Sequence, residues 1–566
     1  MAVTGERRKK GRRLKMNMFG RKWTSCLISG VLMLSLAAGC GNAEAEGSGS
    51  NQSLSDSFET DKTQTTTDAG KTTEGSESNE DHLKYNVTWD DMAEITVLFD
   101  SMGPVPTGVD AVEAKINEIT EKEINTHVNI EIYEIGSYDQ QVGLMMSSGE
   151  PVDLMLTLPG GSSSFTTMRS QGQLQDISEL LEEYGQPVLD TVGDLLQATT
   201  VNGGVYAVPT YADAASFAWI VMRTDVLEDL GLLEKAENMT SMDEFEEILD
   251  AVAKSEKWNY LAPTGGVRGN LIFTTGGACI GENNFSDMTS FDLLGDNLSL
   301  VAVPANGGDG KVQLTYATDE YRKMYERVRG WYEKGYVYKD SVTEQDAQLI
   351  KNNVVFSAIM DGESNIDAAQ EAQCEMPVTC VKLVSYPIRT GSCLKFTWGV
   401  PSTAKEAEAA VTFLSMMYTD SRIANLLSWG IEGVDYEVTE GVAHYIEGNE
   451  TPAYHMNDYQ FGNQFIVWPW EGSSADFRET SKALTDSTPR SDYFGFVCDT
   501  SSITNEIAAV TGVLSQYRGQ IETGMADEEI LDEFLEKLNT SGADKIVSCY
   551  QEQLDAWMTQ QQNNEK

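Results

Sequence analysis

The sequence predicts an α/β protein of two lobes joined by a hinge, and three observations lead to this prediction. Its 566 residues exceed the roughly 250–300 that one hydrophobic core accommodates, so at least two cores are expected. Strand-like and helix-like segments alternate between residues 94 and 156, which is typical of a parallel sheet. A turn-rich stretch at residues 202–216 separates two apolar runs, as expected for a crossover between lobes with a cleft beside it.

The individual elements follow from the period of the apolar residues. The predicted strands are 94–100, 128–132, 152–156, 217–222, 354–360 and 396–401. The predicted helices are 111–125, 138–148, 241–254, 318–334, 405–418, 503–517, 527–538 and 543–557. Ligands of parallel sheets bind beyond the carboxyl ends of the strands, so the loops 100–103 and 157–164 are expected at the cleft. The aromatic face of the helix at 318–334 is interpreted as core.

The crossover stretch opens with the turn signal NGG, because Asn and Gly tolerate the positive φ of tight turns. A short strand at residues 205–208 reaches Pro209, which has no N–H to donate to a neighbouring strand. Tyr211 and Asp213 follow on a backbone that has just left a sheet. Polar and aromatic side chains at such a joint predict ligand contacts, and an ordinary strand–loop–strand is the alternative.

The charge of the chain excludes one class of partner. Lys and Arg number 40 against 88 Asp and Glu, a net charge of −48, whereas nucleic acid binding requires basic patches. The histidines lack metal-ligand spacing and no GxSxG elbow occurs, so neither a metal nor a cofactor is predicted. His444 and His455 lie in a polar stretch and are expected at the surface. A glycosidase stays open, because acidic residues abound although no motif marks a catalytic pair.

Residues 1–39 have the pattern of a bacterial lipoprotein signal peptide. A basic segment precedes an apolar run at 23–38 that is too short to span a bilayer comfortably. The small residues before Cys40 resemble a lipobox, in which this cysteine is diacylated and becomes the new N-terminus; a plain signal peptide is the alternative. Residues 40–84 are rich in Gly, Ser, Thr and acids and are predicted to form a disordered linker.

Several motifs then coincide. Besides the lipobox and NGGVYAVP, four further segments serve as motifs: TFLSMMYTDSRIANLL, SWGIEGVDYEV, FGNQFIVWPWEG and YFGFVCDTSSITNEIAAV. With these motifs the chain resembles the extracellular solute-binding lipoproteins, family 1-like, of Gram-positive carbohydrate ABC importers. It looks like the large subgroup with a C-terminal domain of unknown function, and the resemblance covers nearly all of residues 90–560.

The resemblance implies a two-lobe periplasmic-binding-protein-like fold of the class II type, with the ligand in the cleft between lobes. It implies a membrane-anchored, non-enzymatic, monomeric protein that binds an oligosaccharide and delivers it to ABC permease subunits. A lipoprotein glycoside hydrolase and a sugar-sensing surface receptor on the same fold are the alternatives. The expected divisions are a signal peptide at 1–39, a linker at 40–84, the N-lobe at 85–209, the C-lobe at 210–385, a return to the N-lobe at 386–470 and a helical region packing on the lobes at 471–566.

Carboxylates and aromatic rings are the side chains that a sugar ligand requires, because its hydroxyls donate hydrogen bonds and its C–H faces stack on rings. The resemblance supports Asp213, at the position of an acidic residue in maltose-type relatives, and Asp361, which follows the strand in SAIMDG. For each of these tryptophans the sequence leaves two alternatives open, a side chain in the hydrophobic core or a flat surface on which a sugar ring stacks. The candidate ligand-binding residues are Tyr211, Asp213, Asp361, Trp398, Trp468 and Trp470.

The cysteines beyond Cys40 form no CxxC pair. Cys374 and Cys380 are spaced to close a small disulfide loop outside the cell, and free thiols are the equal alternative.

Overall fold

The protein was analysed as a computed structural model, which describes residues 85–267, 281–296, 298–340, 346–364, 366–449 and 451–564. The predicted signal peptide, Cys40, the linker and Cys279 lie outside these residues. Within the described ranges, no helix has both the length and the apolar character needed to cross a membrane.

The described strands lie between Ala93 and His444. They are β1 Ala93–Ser101, β2 Thr126–Glu134, β3 Leu154–Thr157, β4 Thr200–Val201, β5 Gly204–Val205, β6 Val208–Pro209, β7 Phe217–Arg223, β8 Ala262–Val267, β9 Phe291–Asp292, β10 Val301–Pro304, β11 Gln313–Leu314, β12 Val355–Gly362, β13 Val378–Ser385, β14 Thr397–Gly399, β15 Glu437–Thr439 and β16 Val442–His444.

The described helices are α1 Val109–Glu123, α2 Ile135–Ser148, α3 Phe165–Ser170, α4 Ser178–Tyr184, α5 Gln186–Val192, α6 Thr224–Leu230, α7 Leu233–Glu237, α8 Met242–Lys254, α9 Asp319–Glu333, α10 Asp346–Lys351, α11 Ile366–Cys374, α12 Thr390–Cys393, α13 Ala407–Thr419, α14 Ser421–Trp429, α15 Phe477–Ser487, α16 Thr504–Glu522, α17 Glu528–Thr540 and α18 Ala543–Asn564. The two longest of the described helices, α16 with 19 residues and α18 with 22, lie near the C-terminus.

The first large sheet has the order β2-β1-β3-β14-β6 and forms the N-lobe. β1 pairs in parallel with β2 and β3, which confirms the α/β prediction for this part of the chain. β14 runs antiparallel to β3 and to β6. Pro209 lies in β6 at the sheet edge, where its missing N–H is tolerated because no further strand has to pair there.

The second large sheet has the order β13-β7-β12-β8 and forms the C-lobe. β7 runs antiparallel to β12 and β13, whereas β8 runs parallel to β12. The chain therefore passes from the first sheet to the second between β6 and β7, and returns between β13 and β14. These two crossovers, residues 210–216 and 386–396, join the lobes.

Each sheet supports its own hydrophobic core. The N-lobe core combines the β1 and β3 side chains with α13, which contributes Phe413 and Leu414. The C-lobe core combines β7 and β12 with α8 and α9, and the buried Tyr321 and Trp331 confirm that the aromatic face of α9 is core. Each lobe therefore has an interior of its own, as expected for a chain longer than one hydrophobic core accommodates.

The C-terminal region divides between two locations. The helices α16–α18 extend the C-lobe core through Leu514, Phe534 and Leu554. The preceding helix α15 instead lies against the first crossover, where Asp486 accepts a hydrogen bond from Tyr211. Helix α15 is therefore distant in sequence from the crossover against which it packs.

Candidate functional site

Tyr211 anchors the first crossover rather than facing an open cleft. Its ring is buried and packs edge-on against Phe465, with ring centroids 4.9 Å apart. Its hydroxyl donates a 2.5 Å hydrogen bond to Asp486 on α15, and burial together with this carboxylate raises the pKa of the phenol. The structure thus places this predicted ligand contact in packing between the crossover and α15.

Asp213 is fixed by the same helix. Its carboxylate accepts hydrogen bonds from Ser481 (2.6 Å) and Thr485 (3.2 Å), and from the Ala215 N–H (3.1 Å). Burial raises the pKa of the carboxyl, and these three donors act against that rise. Asp213 is half-buried, and its charge raises the pKa of Glu363, so the two carboxyls are near neighbours although the oxygens of Asp213 are already bonded.

Glu363 directly follows β12 of the C-lobe and was missed by the sequence reasoning. Glu363 is exposed as a whole residue, yet its carboxyl lies among the charges of Asp213, Asp458, Lys395 and Arg478, which come from both crossovers and the N-lobe side. Poor hydration between the lobes, and then Asp213 and Asp458, raise its pKa to about 7, against the effect of the two cations. Among the described residues, none makes a hydrogen bond to this carboxyl.

Asp361 lies two residues before Glu363, at the end of β12. The Tyr386 hydroxyl donates a 2.8 Å hydrogen bond to it, and the Trp219 indole donates to the adjacent Gly362 carbonyl at 3.2 Å. Burial raises the pKa of Asp361 to about 7, although the Tyr386 hydrogen bond and nearby cations oppose the rise. The strand end therefore presents one partnered carboxyl and, just beyond it, the unpartnered Glu363.

The opposing wall is the segment that runs from Asp458 to Trp468. The buried Arg478 guanidinium of α15 pairs with Asp458 and donates to the carbonyls of Val467 (3.2 Å) and Trp468 (3.4 Å). Next to Asp458, the half-buried ring of Tyr459 packs on Phe396 with centroids 5.3 Å apart. Arg478 thus holds this segment in place, and its positive charge also lowers the pKa of Glu363.

Trp468 and Trp470 differ in accessibility. Trp468 is 41% exposed, and its backbone is fixed by Asn425 (2.9 Å) and by the Trp429 indole (3.0 Å). Trp470 is half-buried and packs against Trp429, with ring centroids 4.8 Å apart. Trp468 therefore offers a free indole face on a fixed backbone, whereas Trp470 contributes to packing.

His455 corrects the surface prediction for that histidine. Its ring lies among aromatic rings, 4.9 Å from Trp429, 4.6 Å from Trp470 and 5.4 Å from Tyr445. Burial lowers its pKa to about 4, so the ring is neutral at physiological pH. The polar sequence around it gave no signal of this packing, because the rings come from three different segments.

The prediction of Trp398 as a ligand contact is also corrected, because this side chain is 0% exposed and therefore inaccessible to a ligand. It lies on β14, between β3 and β6 in the sheet, so its side chain enters the N-lobe core against Phe99 at 5.0 Å. Its indole N–H donates to the Gln460 carbonyl at 2.9 Å. Trp398 therefore supports the Asp458–Trp468 segment from beneath.

Of the two alternatives for Cys374 and Cys380, a disulfide or free thiols, the structure has both cysteines as free thiols. Cys374 is buried, and burial raises the pKa of its thiol to about 11, which disfavours the thiolate. The free-thiol alternative is therefore the one that the structure shows.

Two family models match the chain. Bacterial extracellular solute-binding protein matches residues 103–421, and a domain of unknown function, DUF3502, matches residues 492–559. The second match covers most of α16–α18 and the segment that precedes them.

Known relatives align over most of their length. A carbohydrate ABC transporter substrate-binding protein from Streptococcus pneumoniae is 24% identical over 473 residues, which cover 81% of this chain and 90% of that protein. The crystal structure of an N-glycan transport solute binding protein from Streptococcus pneumoniae is 21% identical, with a TM-score of 0.69, and the alignment covers 82% of this chain and 99% of that one. The same protein in complex with Man5GlcNAc aligns with a TM-score of 0.59 at 21% identity, covering 83% and 99% of the two chains. Since the first family model spans more than half of the sequence, the chain belongs to the bacterial extracellular solute-binding proteins.

Proposed function

We propose that the protein captures an oligosaccharide outside the cell and delivers it, as a monomer, to the permease of an ABC importer. The observation that carries this proposal is that Arg478 links two accessible groups: its charge lowers the pKa of the unbonded carboxyl Glu363, and its guanidinium donates to the backbone carbonyl of Trp468, whose side chain is 41% exposed. The relatives that share the fold include a carbohydrate importer component and an N-glycan binder, which supports a sugar as the ligand.

The two side chains supply the two contacts that a sugar needs. A carboxylate accepts hydrogen bonds from hydroxyl groups, and such charge-assisted bonds are stronger than neutral ones. An indole face packs against the C–H face of a pyranose ring with a small loss of side-chain entropy. The side chains that flank them, Asp213, Asp361 and Tyr459, add further polar and aromatic surface to the proposed site.

Closure of the lobes on the ligand follows from the two crossovers. A ligand shifts the equilibrium towards a closed form only by binding that form more tightly, and a change from 1:99 to 99:1 requires about 5.5 kcal/mol of preference. Contacts to Glu363 on one side and to Trp468 on the other supply such a preference, because an open form makes only one set of them.

Glu363→Gln and Trp468→Ala are each expected to weaken glycan binding at least about tenfold. A hydrogen bond to a charged group contributes roughly 1.5–3 kcal/mol, and 1.4 kcal/mol is a factor of ten. The measurement is isothermal titration calorimetry with a panel of neutral glycans that includes Man5GlcNAc, at about pH 8, where Glu363 is ionised. Glu118→Gln, an exposed carboxylate on α1, is the matched control and should bind like the parent protein.

Unchanged affinity in both variants would move the site away from this cleft, and no binding by any glycan of the panel would overturn the carbohydrate proposal. The glycan should also be recovered intact after prolonged incubation. Cleaved product that disappears in one carboxylate variant would instead support the glycoside hydrolase alternative.

We further propose that Cys40 carries a diacylglycerol anchor. Two acyl chains hold a protein on a membrane where a single chain is marginal, since each buried CH₂ contributes about 0.8 kcal/mol. Cys40→Ser is therefore expected to abolish lipid labelling and to move the protein from the membrane fraction to soluble or unprocessed forms. Cys26→Ser, within the same leader, is the matched control and should leave labelling intact. Palmitate labelling that persists in Cys40→Ser would refute the anchor.

A further inference from the structure

Asp100 is a buried carboxyl at the carboxyl end of β1, next to the proposed cleft. It is 0% exposed and accepts a 2.8 Å hydrogen bond at Oδ2 from the side-chain amide of Gln460, which is equally buried. Gln460 follows Tyr459 in the segment that forms the N-lobe wall. The Asp100–Gln460 pair therefore ties this segment to the sheet.

Each member of the pair has one oxygen without a partner. Asp100 Oδ1 and Gln460 Oε1 are both buried and accept no hydrogen bond from the described residues. Two such unpartnered oxygens in one contact are unusual, because a buried polar atom that loses its water without gaining a hydrogen bond destabilises the fold. An ionised carboxyl offers only acceptors, so it cannot satisfy the amide oxygen.

We propose that Asp100 holds a proton on Oδ1 and forms a two-bond acid–amide pair with Gln460, which positions the Asp458–Gln460 segment at the ligand cleft. One proton gives both orphan oxygens a role at once, as the hydroxyl of Asp100 donates to Gln460 Oε1 while the amide N–H donates back to Oδ2. The link to ligand binding rests on the function proposed above, whereas the protonated pair itself does not.

The surroundings of Asp100 favour the neutral form. Tyr138 of α2 and Tyr459 are phenols with raised pKa values, to which the charge of Asp100 contributes, and neither offers a cation. The further charges that act on these phenols are the carboxylates Asp139, Asp458 and Glu363. Burial raises the pKa of Asp100 from 3.8 to about 6, even against the amide hydrogen bond.

The sign of the pH effect follows from this raised pKa. The folded protein binds a proton at Asp100 that the unfolded chain releases above its ordinary pKa, so the pair stabilises the fold at low pH. That contribution is lost as the pH rises from about 4 to about 6 and is absent above. Below this window the segment is held by two hydrogen bonds, and above it by one.

The test compares the purified full-length protein with Asp100→Asn. Asparagine keeps both hydrogen bonds at every pH, because its amide donates to Gln460 Oε1 and accepts from the Gln460 amide. Relative to this variant, the Tm of the parent protein is expected to fall by several degrees between about pH 4 and about pH 6 and then to stay level. The infrared difference spectrum, parent protein minus Asp100→Asn, should contain a carbonyl band of a protonated carboxyl at about pH 5 that disappears at about pH 7.5.

Asp153→Asn is the matched control, since Asp153 is another buried aspartate of the N-lobe. It accepts backbone N–H groups from Thr96 (2.9 Å), Lys405 (2.8 Å) and Glu406 (3.0 Å), so an amide in its place turns a donor towards donors. This variant should lower the Tm where Asp100→Asn does not. A Tm difference for Asp100→Asn that is the same at all pH values, or a loss as large as that of Asp153→Asn, would overturn the pair.

The role in positioning is read from affinity for the glycan identified by calorimetry. As the pH rises from about 5 to about 7.5, the parent protein should lose affinity relative to Asp100→Asn. The variant keeps both hydrogen bonds to Gln460 and so keeps the Asp458–Gln460 segment in position. Parallel affinities of the two proteins across this range would overturn the positioning role. The Tm and infrared measurements need no ligand, so they judge the pair even where the carbohydrate proposal fails.

Discussion

Trp398→Ala is expected to destabilise the protein by about 3–5 kcal/mol, the usual cost of removing a buried tryptophan. The indole is 0% exposed, packs on Phe99, and donates a hydrogen bond to the Gln460 carbonyl. Alanine therefore leaves a large cavity and an unpaired backbone carbonyl in the N-lobe. Equilibrium urea unfolding measures the change in free energy.

Trp468→Ala is the matched control for this variant, because it makes the same substitution at an exposed ring. Its free energy of unfolding should change by less than about 1 kcal/mol, since surface substitutions have small effects. Equal destabilisation by the two variants would contradict the assignment of Trp398 to core and Trp468 to surface.

Arg478→Leu is the second change with a large expected effect, a loss of about 3–5 kcal/mol. The Arg478 and Asp458 side chains are only 11% and 13% exposed, so removing the guanidinium leaves a poorly hydrated carboxylate without its cation. The carbonyls of Val467 and Trp468 lose a donor in the same step. Urea unfolding of the ligand-free protein again gives the free energy directly.

Two further variants separate the buried pair from a general effect of charge. Arg478→Met combined with Asp458→Asn should recover at least half of the loss, because no unpaired charge remains. Lys115→Met removes a cation from an exposed pair with Glu118 and should cost at most about 1 kcal/mol. A double variant as unstable as Arg478→Leu would show that the packing of the arginine stem, and not its charge, dominates.

The secondary structure was largely predictable because it depends on local patterns. The alternation from 94 to 156 predicts β1, α1, β2, α2 and β3 to within a few residues. Helix starts were equally local, since Ser241 accepts the Glu244 N–H at 3.3 Å and Thr318 accepts the Tyr321 N–H at 3.2 Å. Short-range hydrogen bonds and periodic apolar faces depend only on residues that are close in sequence, so they can be predicted from a single sequence.

The site was predicted less well, because it joins residues that are far apart in the chain. Asp361 was predicted from the family resemblance of the strand in SAIMDG, whereas Glu363 of the proposed site was missed, since only the approach of Asp458 and Arg478 from another segment distinguishes it from an ordinary surface acid. Trp398 and Trp468 were equivalent in the sequence, and they separate only when one faces a sheet core and the other solvent.

The sequence by itself therefore determined the two-lobe α/β class, the positions of most elements and the strongly acidic composition. Only the tertiary structure decided which side chains meet: Asp213 with Ser481, Asp100 with Gln460, and Arg478 with Asp458. The physical reason is that Ser481 lies 268 residues from Asp213 and Gln460 lies 360 residues from Asp100, and even Asp458 lies 20 residues from Arg478, in a different structural element. Local periodicity carries no information on such pairings, whereas the packing of α15 and the Asp458–Trp468 segment against the crossover fixes them.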